Sequence, residues 1–201
     1  MPKKLLLPDS TREDAAVKSP EQLVDIYYKS IGRGANLILN LPPDRRGQIH
    51  EKDVAALQGM RRILDSTFRR NLALDGRVSA SNIRGRDKKY GPARLLDGDP
   101  TTYWSTDDAV TTPELVLEWK RAATFDVVKV SENLRLGQRI EEIAIDAWEN
   151  GSWREVAKAT SIGAQRSVRF EPAVTTTKLR LRVTKSPVCP ALAELGVFKQ
   201  P

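Results

Sequence analysis

Residues 36–41 read Asn-Leu-Ile-Leu-Asn-Leu, and the chain continues Pro42-Pro43-Asp44-Arg45-Arg46-Gly47. A short apolar run closed by two prolines predicts a strand buried on both faces, as in parallel sheets. Such a strand needs parallel neighbours on both sides. The sequence around it has helical period instead, so its sheet is missing from this stretch. Upstream, Ser19-Pro20-Glu21-Gln22 is a capping box: Ser19 can accept from a free backbone N–H, Gln22 can reach back, and Pro20 suits a first turn. Leu23, Ile26, Tyr27 and Ile31 then share a helical face, and Gly32 and Gly34 can stop the helix with a positive φ. From Glu51 a second helix carries Val54, Leu57, Met60, Leu64 and Phe68 at helical spacing, with Arg61, Arg62, Arg69 and Arg70 left for solvent. Helix, strand, helix is half of a repeating βα unit.

The texture changes near Leu74-Asp75-Gly76. Strands are predicted at Val78–Asn82, Glu114–Trp119, Phe125–Ser131, Ile140–Trp148, Arg166–Phe170 and Lys178–Thr184. In KLRLRVT, Leu179, Leu181 and Val183 face one way, and Arg180 and Arg182 the other. In ELVLEW, Leu115, Leu117 and Trp119 share a face. Asn150-Gly151, between Trp148 and Trp153, is a two-residue hairpin signal. Many short strands without helical period predict an antiparallel β-sandwich of the jelly-roll kind over residues 76–201. The chain overall is then α+β.

Composition narrows the function classes. The chain has 201 residues and is 40% apolar, which suits a folded core. No apolar run approaches the roughly 18 residues of a membrane helix, so no membrane partner is expected. The apolar part of MPKKLLLPDS is too short for a signal peptide, and the chain as it stands is expected not to be exported. The single cysteine, Cys189, excludes an internal disulfide and is expected to be buried. The single histidine, His50, reads as a helix-start residue. The net charge of +7 is spread along the chain, with no long basic block and no zinc-finger spacing, so no nucleic-acid partner is expected.

The stretch RLLDGDPTTYW, Arg94–Trp104, places Asp97 and Asp99 around a glycine, with Thr101 and Thr102 beside them. Oxygen-rich loops of this sort suit Ca²⁺, though a plain Asp-Gly turn gives the same spacing. An EF-hand is excluded, because counting from Asp97 the sixth residue is Thr102 and the twelfth is Asp108. Trp104, Trp119, Trp148 and Trp153 read as core or hairpin packing rather than as stacking platforms.

LLDGDPTTYWST, ENLRLGQRI and the closing ALAELGVF together resemble the discoidin, or coagulation factor V/VIII C-type, family, which includes family 32 carbohydrate-binding modules. The resemblance covers residues 76–199. It implies a structural Ca²⁺ held by the carbonyls of Arg94, Thr102 and Ala193 and by side-chain oxygens of Asp97, Asp99 and Glu194. It also implies sugar binding by loops at one end of the sandwich. There the sequence offers Glu132, Asn133, Arg135, Gln138 and Arg139, either as a sugar site or as an interface with a neighbouring domain. A β-bulge made by Asn133 and Gly137 is the plainer alternative.

Residues 13–72, above all SIGRGANLILNLPPDRRG, resemble the end of the catalytic domain of glycoside hydrolase family 29, the α-L-fucosidases. The ENLRLGQR stretch accompanies that domain in one subgroup. The resemblance implies a (β/α)₈-like barrel with Leu37–Leu41 as its last strand and Glu51–Phe68 as its last helix. Residues 1–75 would be an incomplete barrel end, with Asn40, Asp44, Arg45 and Arg46 at the rim of the catalytic face. The family retains configuration through an aspartate nucleophile and a glutamate acid/base. Neither matches a residue here, so no catalytic residue is assigned, and Asp44 is expected to pair with Arg45 or Arg46 or to cap a turn.

The sequence thus reads as the C-terminal portion of an enzyme that hydrolyses terminal α-L-fucosyl linkages, inactive alone. The alternative is a stand-alone lectin-like module for fucosylated or galactosylated glycans. A basic protein binding acidic surfaces is a third reading, motivated only by charge. Self-association through the incomplete barrel, or packing of that segment on the sandwich, is expected. The sequence assigns no compartment, although parents of this type are often periplasmic or secreted.

Overall fold

The structure, a computed structural model, describes residues 17–44 and 46–201. Among the described residues two α-helices come first, α1 (Pro20–Lys29) and α2 (Glu51–Phe68). Seven strands follow: β1 (Gly76–Ala80), β2 (Trp104–Ser105), β3 (Glu114–Glu132), β4 (Glu142–Glu149), β5 (Ser152–Thr160), β6 (Arg166–Lys185) and β7 (Ala191–Phe198).

The capping box forms as read. Gln22 N–H donates to Ser19 Oγ at 3.2 Å, and Ser19 N–H donates to Gln22 Oε1 at 2.9 Å. The buried side of α1 is Leu23, Val24 and Tyr28, with Ile26 and Tyr27 half-buried at its margin. This stripe is rotated from the predicted one because the helix lies against a sheet as well as against α2. Gly34 takes a φ of 78° and ends the turn after α1, as expected. Gly32 does not; it is the close-approach residue beneath which Ser167 and Tyr28 pack. On α2 the buried residues are Ala56, Gly59, Met60 and Thr67, whereas Val54 is exposed.

The strand predicted at Asn36–Leu41 does not form. The chain is irregular there, and among the described residues no backbone hydrogen bond joins 36–41 to another element. Leu37 and Leu39 pack against the helices, but Ile38 is 93% exposed. A strand exists only through its neighbour, and none is present among the described residues.

The strands pair antiparallel throughout, and β3 and β6 serve two layers each. The N-terminal half of β3 and the C-terminal half of β6 lie in a layer ordered β5-β4-β6-β3-β1. Their other halves lie in a second layer ordered β6-β3-β7-β2. Register shifts between Glu118 and Ala123, and between Phe125 and Val127, carry β3 from one layer to the other. The predicted pairs Glu114–Trp119 with Phe125–Ser131, and Arg166–Phe170 with Lys178–Thr184, are therefore two bent strands, not four. Residues 120–124 contain no turn residue, and around Pro172 the ladder skips from Val174 to Arg169 without ending β6.

Between the layers lie Trp104, Leu115, Leu117, Phe125, Ile145 and Leu181, each no more than 1% exposed. Arg180 and Arg182 point outward, as their alternation predicted, and both grip Asp146 at 2.7–2.9 Å. Asn150 and Gly151 both have positive φ, 49° and 81°, and close the β4–β5 hairpin. Trp148 and Trp153 face each other across it with ring centroids 5.1 Å apart.

The helices cover the outer face of the second layer. Val127 and Phe198 of the sheet join Leu23, Val24, Tyr28, Ala56 and Met60 in a second core. Phe68 packs edge-on to Phe198 at 5.0 Å, and the Arg169 guanidinium lies 4.7 Å from the Tyr28 ring centroid while bridging to Asp25 at 2.8 Å. Asn71, in the connection, ties both parts together. Its Oδ1 accepts from Ala73 N and Val197 N at 3.0 and 2.9 Å, and its Nδ2 donates to Leu195 O at 3.2 Å. The expected packing of the helical segment on the sandwich is seen for α1, α2, Leu37 and Leu39.

Candidate carbohydrate and cation sites at one end of the sandwich

Strand pairing gathers four connections at one end of the sandwich. Ala80 lies opposite Leu115, Glu132 opposite Leu192, Glu142 opposite both Thr160 and Lys185, and Val130 opposite Arg166. Residues 81–113, 133–141, 161–165 and 186–190 therefore share that end.

Glu132 is 4% exposed. Its Oε1 accepts from Arg139 N and Ile140 N at 2.7 and 2.9 Å, and its Oε2 accepts from Gly163 N at 2.7 Å. A carboxylate holding three amides is a staple between two loops, not a ligand contact. Asn133, 3% exposed, caps a 3-10 turn over Leu134–Leu136 through Arg135 N. Its Nδ2 also donates to Thr101 O at 3.3 Å. The expected bulge at Asn133 and Gly137 is this capped turn instead. Arg139 donates to Cys189 O at 3.0 Å and to Leu136 O at 3.1 Å. Of the five predicted residues, three build the loop, and only Arg135 and Gln138 are free on its surface, beside exposed Leu134 and Leu136.

Next to them stands an aromatic pair that sequence reasoning missed. Tyr90 and Tyr103 have ring centroids 5.4 Å apart, and the Lys89 amine lies 5.4 Å from the Tyr90 ring. Burial and then the Tyr90 charge raise the Tyr103 hydroxyl pKa, while Arg84 and Arg139 pull it down. Arg84 is held by Asp108 at 2.6 Å. Tyr90 ends a one-turn 3-10 helix and Tyr103 lies in irregular chain, so no periodicity pairs them. A half-buried aromatic face flanked by guanidiniums suits a sugar, with its weakly apolar face and its hydroxyls. Trp104 and Trp119 are core residues, and Trp148 and Trp153 pack the hairpin, as expected.

The acidic loop lies alongside. Asp97 Oδ1 accepts from Asp99 N at 3.0 Å, and its Oδ2 accepts from Thr102 Oγ1 at 2.7 Å and Arg94 Nη1 at 3.4 Å. Asp99 Oδ1 accepts from Thr101 N and Oγ1 at 2.9 and 2.7 Å. The fold brings Glu194 to this loop: burial, then the charges of Asp97 and Asp99, raise its carboxyl pKa, against the pull of Lys129. Ser131 pairs with Glu194 and Glu132 with Leu192, so Ala193 is an extra, bulged residue whose carbonyl leaves the regular ladder. Three mutually repelling carboxylates with an off-ladder carbonyl fit a hard, oxygen-loving cation such as Ca²⁺. Among the described residues no three His, Cys, Asp or Glu side chains form a metal-holding group by themselves, so carbonyls would have to complete any such site.

The predicted rim residues lie far along the chain from these. Asn40 is exposed. Asp44 is fully engaged: Oδ2 takes the Arg46 Nε and Nη2 at 2.8 and 2.6 Å, and Oδ1 takes the amides of Arg46 and Gln48. The Arg46 hydrogen bonds hold its pKa below the usual carboxylate range. Pairing with Arg46 is thus as expected, while Arg45 lies outside the described residues. His50 caps α2 through Lys52 N at 3.2 Å. Among the described residues no helix is long and apolar enough to cross a membrane.

The profile of the F5/8 type C domain matches residues 77–195, more than half of the chain. The chain belongs to the F5/8 type C domain family. The similarity of the chain extends beyond that domain into the helices before it. It is 34% identical over 189 residues to alpha-L-fucosidase 1 of Arabidopsis thaliana, covering 91% of this chain and 37% of that protein. A Ruminococcus gnavus GH29 fucosidase solved in complex with fucose superposes with a TM-score of 0.83 at 30% identity, over 92% of this chain and 37% of that one. The matched region is the C-terminal part of a fucosidase, and the chain spans a little over a third of such relatives. A chitosan-binding module from a Paenibacillus chitosanase/glucanase shares the F5/8 type C fold alone, with a TM-score of 0.55 at 23% identity.

Proposed function

We propose that this chain is the C-terminal portion of an α-L-fucosidase, in which α1, residues 36–41 and α2 complete a (β/α)₈ barrel. The F5/8 type C domain is its ancillary carbohydrate-binding unit. The observation that carries the reading is that fucosidase similarity covers 91% of the chain, helices included, and not the sandwich alone. On this reading the extended, unpaired 37–41 segment becomes the last barrel strand, and Asp44 and Arg46 stand at the catalytic rim. The whole enzyme would hydrolyse terminal α-L-fucosyl linkages with retention. No catalytic acid is assigned here, since Asp44 is neutralised by Arg46. An aryl α-L-fucoside assay of the isolated chain is expected to give background only. Turnover abolished by Asp44→Asn would sink this reading.

The ancillary role places glycan contacts on Tyr90, Tyr103, Arg135 and Gln138, with fucosylated or galactosylated glycans as the probes. A structural Ca²⁺ held by Asp97, Asp99, Glu194 and the Arg94, Thr102 and Ala193 carbonyls would fasten β7 to the acidic loop. It would supply stability, not chemistry. A lectin-like role without the enzyme rests on the tyrosine pair. Glycan-array binding by the isolated chain that Tyr103→Ala removes supports it, and binding indifferent to that change counts against the platform. Self-association through residues 36–41 is the alternative fate of the unpaired segment, readable as a concentration-dependent mass that Ile38→Lys removes.

A further inference from the structure

The chain has six asparagines, and the residue after each sets them apart. Asn36, Asn40, Asn71 and Asn133 precede leucine, Asn82 precedes isoleucine, and Asn150 alone precedes glycine. The backbone nitrogen after an asparagine can attack that asparagine's side-chain carbonyl carbon. A bulky successor screens this nitrogen, whereas glycine, with no Cβ, leaves it bare.

The fold widens the difference. Asn71 is bound to β7, Asn133 to its own turn and to Thr101, and Asn82 to Asp107 at 2.8 and 3.0 Å. Asn36 and Asn40 are exposed, with only their leucine successors to screen them. Asn150 and Gly151 are both exposed at the tip of the β4–β5 hairpin. Among the described residues neither the Asn150 side chain nor the Gly151 N–H makes a hydrogen bond. A Cβ placed on Gly151 would meet nothing within 4 Å, so a ring has room to close there. The turn must give way for the nitrogen to reach the side chain, and a solvated two-residue tip opens locally at little cost.

We propose that Asn150-Gly151 is a site of spontaneous deamidation, and that one of its two products unfastens β5. The Gly151 nitrogen loses its proton to base and attacks Asn150 Cγ. A C–N bond forms, the bond from Cγ to the side-chain nitrogen breaks, and ammonia leaves after taking a proton from water. Water then opens the five-membered imide at either carbonyl. Opening at Cγ gives aspartate and keeps the turn, because Asp-Gly suits it as Asn-Gly does. Opening at the main-chain carbonyl gives isoaspartate, whose backbone runs through Cγ and is one carbon longer. That carbon does not fit a two-residue turn, on which the Glu149–Arg154 ion pair at 2.6 Å and the facing Trp148 and Trp153 rings depend. Among the described residues β5 pairs with β4 alone, so no second strand holds it. The site does not depend on the fucosidase reading.

The test is to store the 201-residue chain in mildly alkaline buffer and to follow each asparagine by peptide mass. The peptide holding Asn150 is expected to gain the mass that separates a carboxyl from an amide. It should do so at least tenfold faster than the peptide holding Asn36 and Asn40, and faster still as pH rises, since base must remove the Gly151 proton. Asn150→Asp, which has no side-chain amide to lose, supplies the aspartate product as a standard. The isoaspartate fraction, separated from it by chromatography, is expected to exchange the amide hydrogens of β5 at least tenfold faster. Asn150→Asp should exchange them as the unsubstituted chain does. No conversion at Asn150, or equal conversion at Asn36 or Asn40, overturns the site. Isoaspartate that exchanges β5 no faster than Asn150→Asp overturns the unfastening.

Discussion

The sandwich and the helical segment before it solve the same problem differently. Every apolar strand face in the sandwich meets another face of the same chain, and its largest core residues are fully buried. Among the described residues the segment 17–75 finds cover on one side only: α1 and α2 lie on β3 and β7, while residues 36–41 stay extended with Ile38 exposed. The difference teaches that secondary structure follows from local pattern only where the tertiary partner is within reach. KLRLRVT became a strand because β3 and β4 flank it. LILNL, with a stronger apolar run, did not.

This contrast can be tested by substitution, strongest effect first. Phe125→Ala opens the sandwich core where β3 changes layers. It should cost about 4 kcal/mol, seen as a large fall in the urea midpoint. A loss confined to the sandwich, with the helices still folded, would show that the seam does not couple the two regions.

Asp146→Ala should cost about 3 kcal/mol, because it removes three charge-assisted hydrogen bonds and leaves Arg180 and Arg182 with only Glu114 and Glu155. Burial pushes the Asp146 carboxyl up, but its hydrogen bonds to Arg182 and Arg180 outweigh that and hold its pKa below the ordinary value. Its stabilisation is therefore present above the unfolded carboxylate value of about 4 and is lost as pH falls through the folded one. Asp146→Asn should flatten that part of the stability–pH curve, and an unchanged acid limb would refute the assignment.

Glu132→Gln replaces an acceptor pair by one acceptor and one donor facing an amide. About 2 kcal/mol should be lost, with faster amide exchange at Gly163 and Ile140. Ser19→Ala removes one half of the capping box and should cost about 1 kcal/mol, read as fraying at the start of α1. Ile38→Ser should change the stability of the isolated chain by less than about 0.5 kcal/mol. Placed in a whole fucosidase, the same change should be severe if 37–41 is a barrel strand. Equal, small effects in both settings would break the barrel reading.

Much of this was legible because it is local. The Ser19–Gln22 box, the Asn150-Gly151 turn and the alternation at Leu179–Val183 each rest on neighbours within a few residues. The layer change in β3 was not, because it is made by bulges near Lys120 and Asp126 rather than by glycine or proline. Glu132 looked like a binding residue since sequence does not reveal that its oxygens meet the amides of residues 139, 140 and 163. Tyr90 and Tyr103 meet only because the 81–113 loop folds back on itself. The approach of Glu194 to Asp97 came from family resemblance, and no spacing rule joins positions so far apart.

The Asn71 side chain has a consequence for how the protein behaves in company. Beyond Leu192, β7 has β3 on one side and, among the described residues, no strand on the other, an edge of the kind that recruits strands from other molecules. Asn71 occupies that edge as a one-residue counterfeit strand, donating to Leu195 and accepting from Val197. The junction between helices and sandwich is thus also a lid on sheet growth, and a chain trimmed past residue 71 would fold its sandwich only to offer its last strand to the next copy in solution.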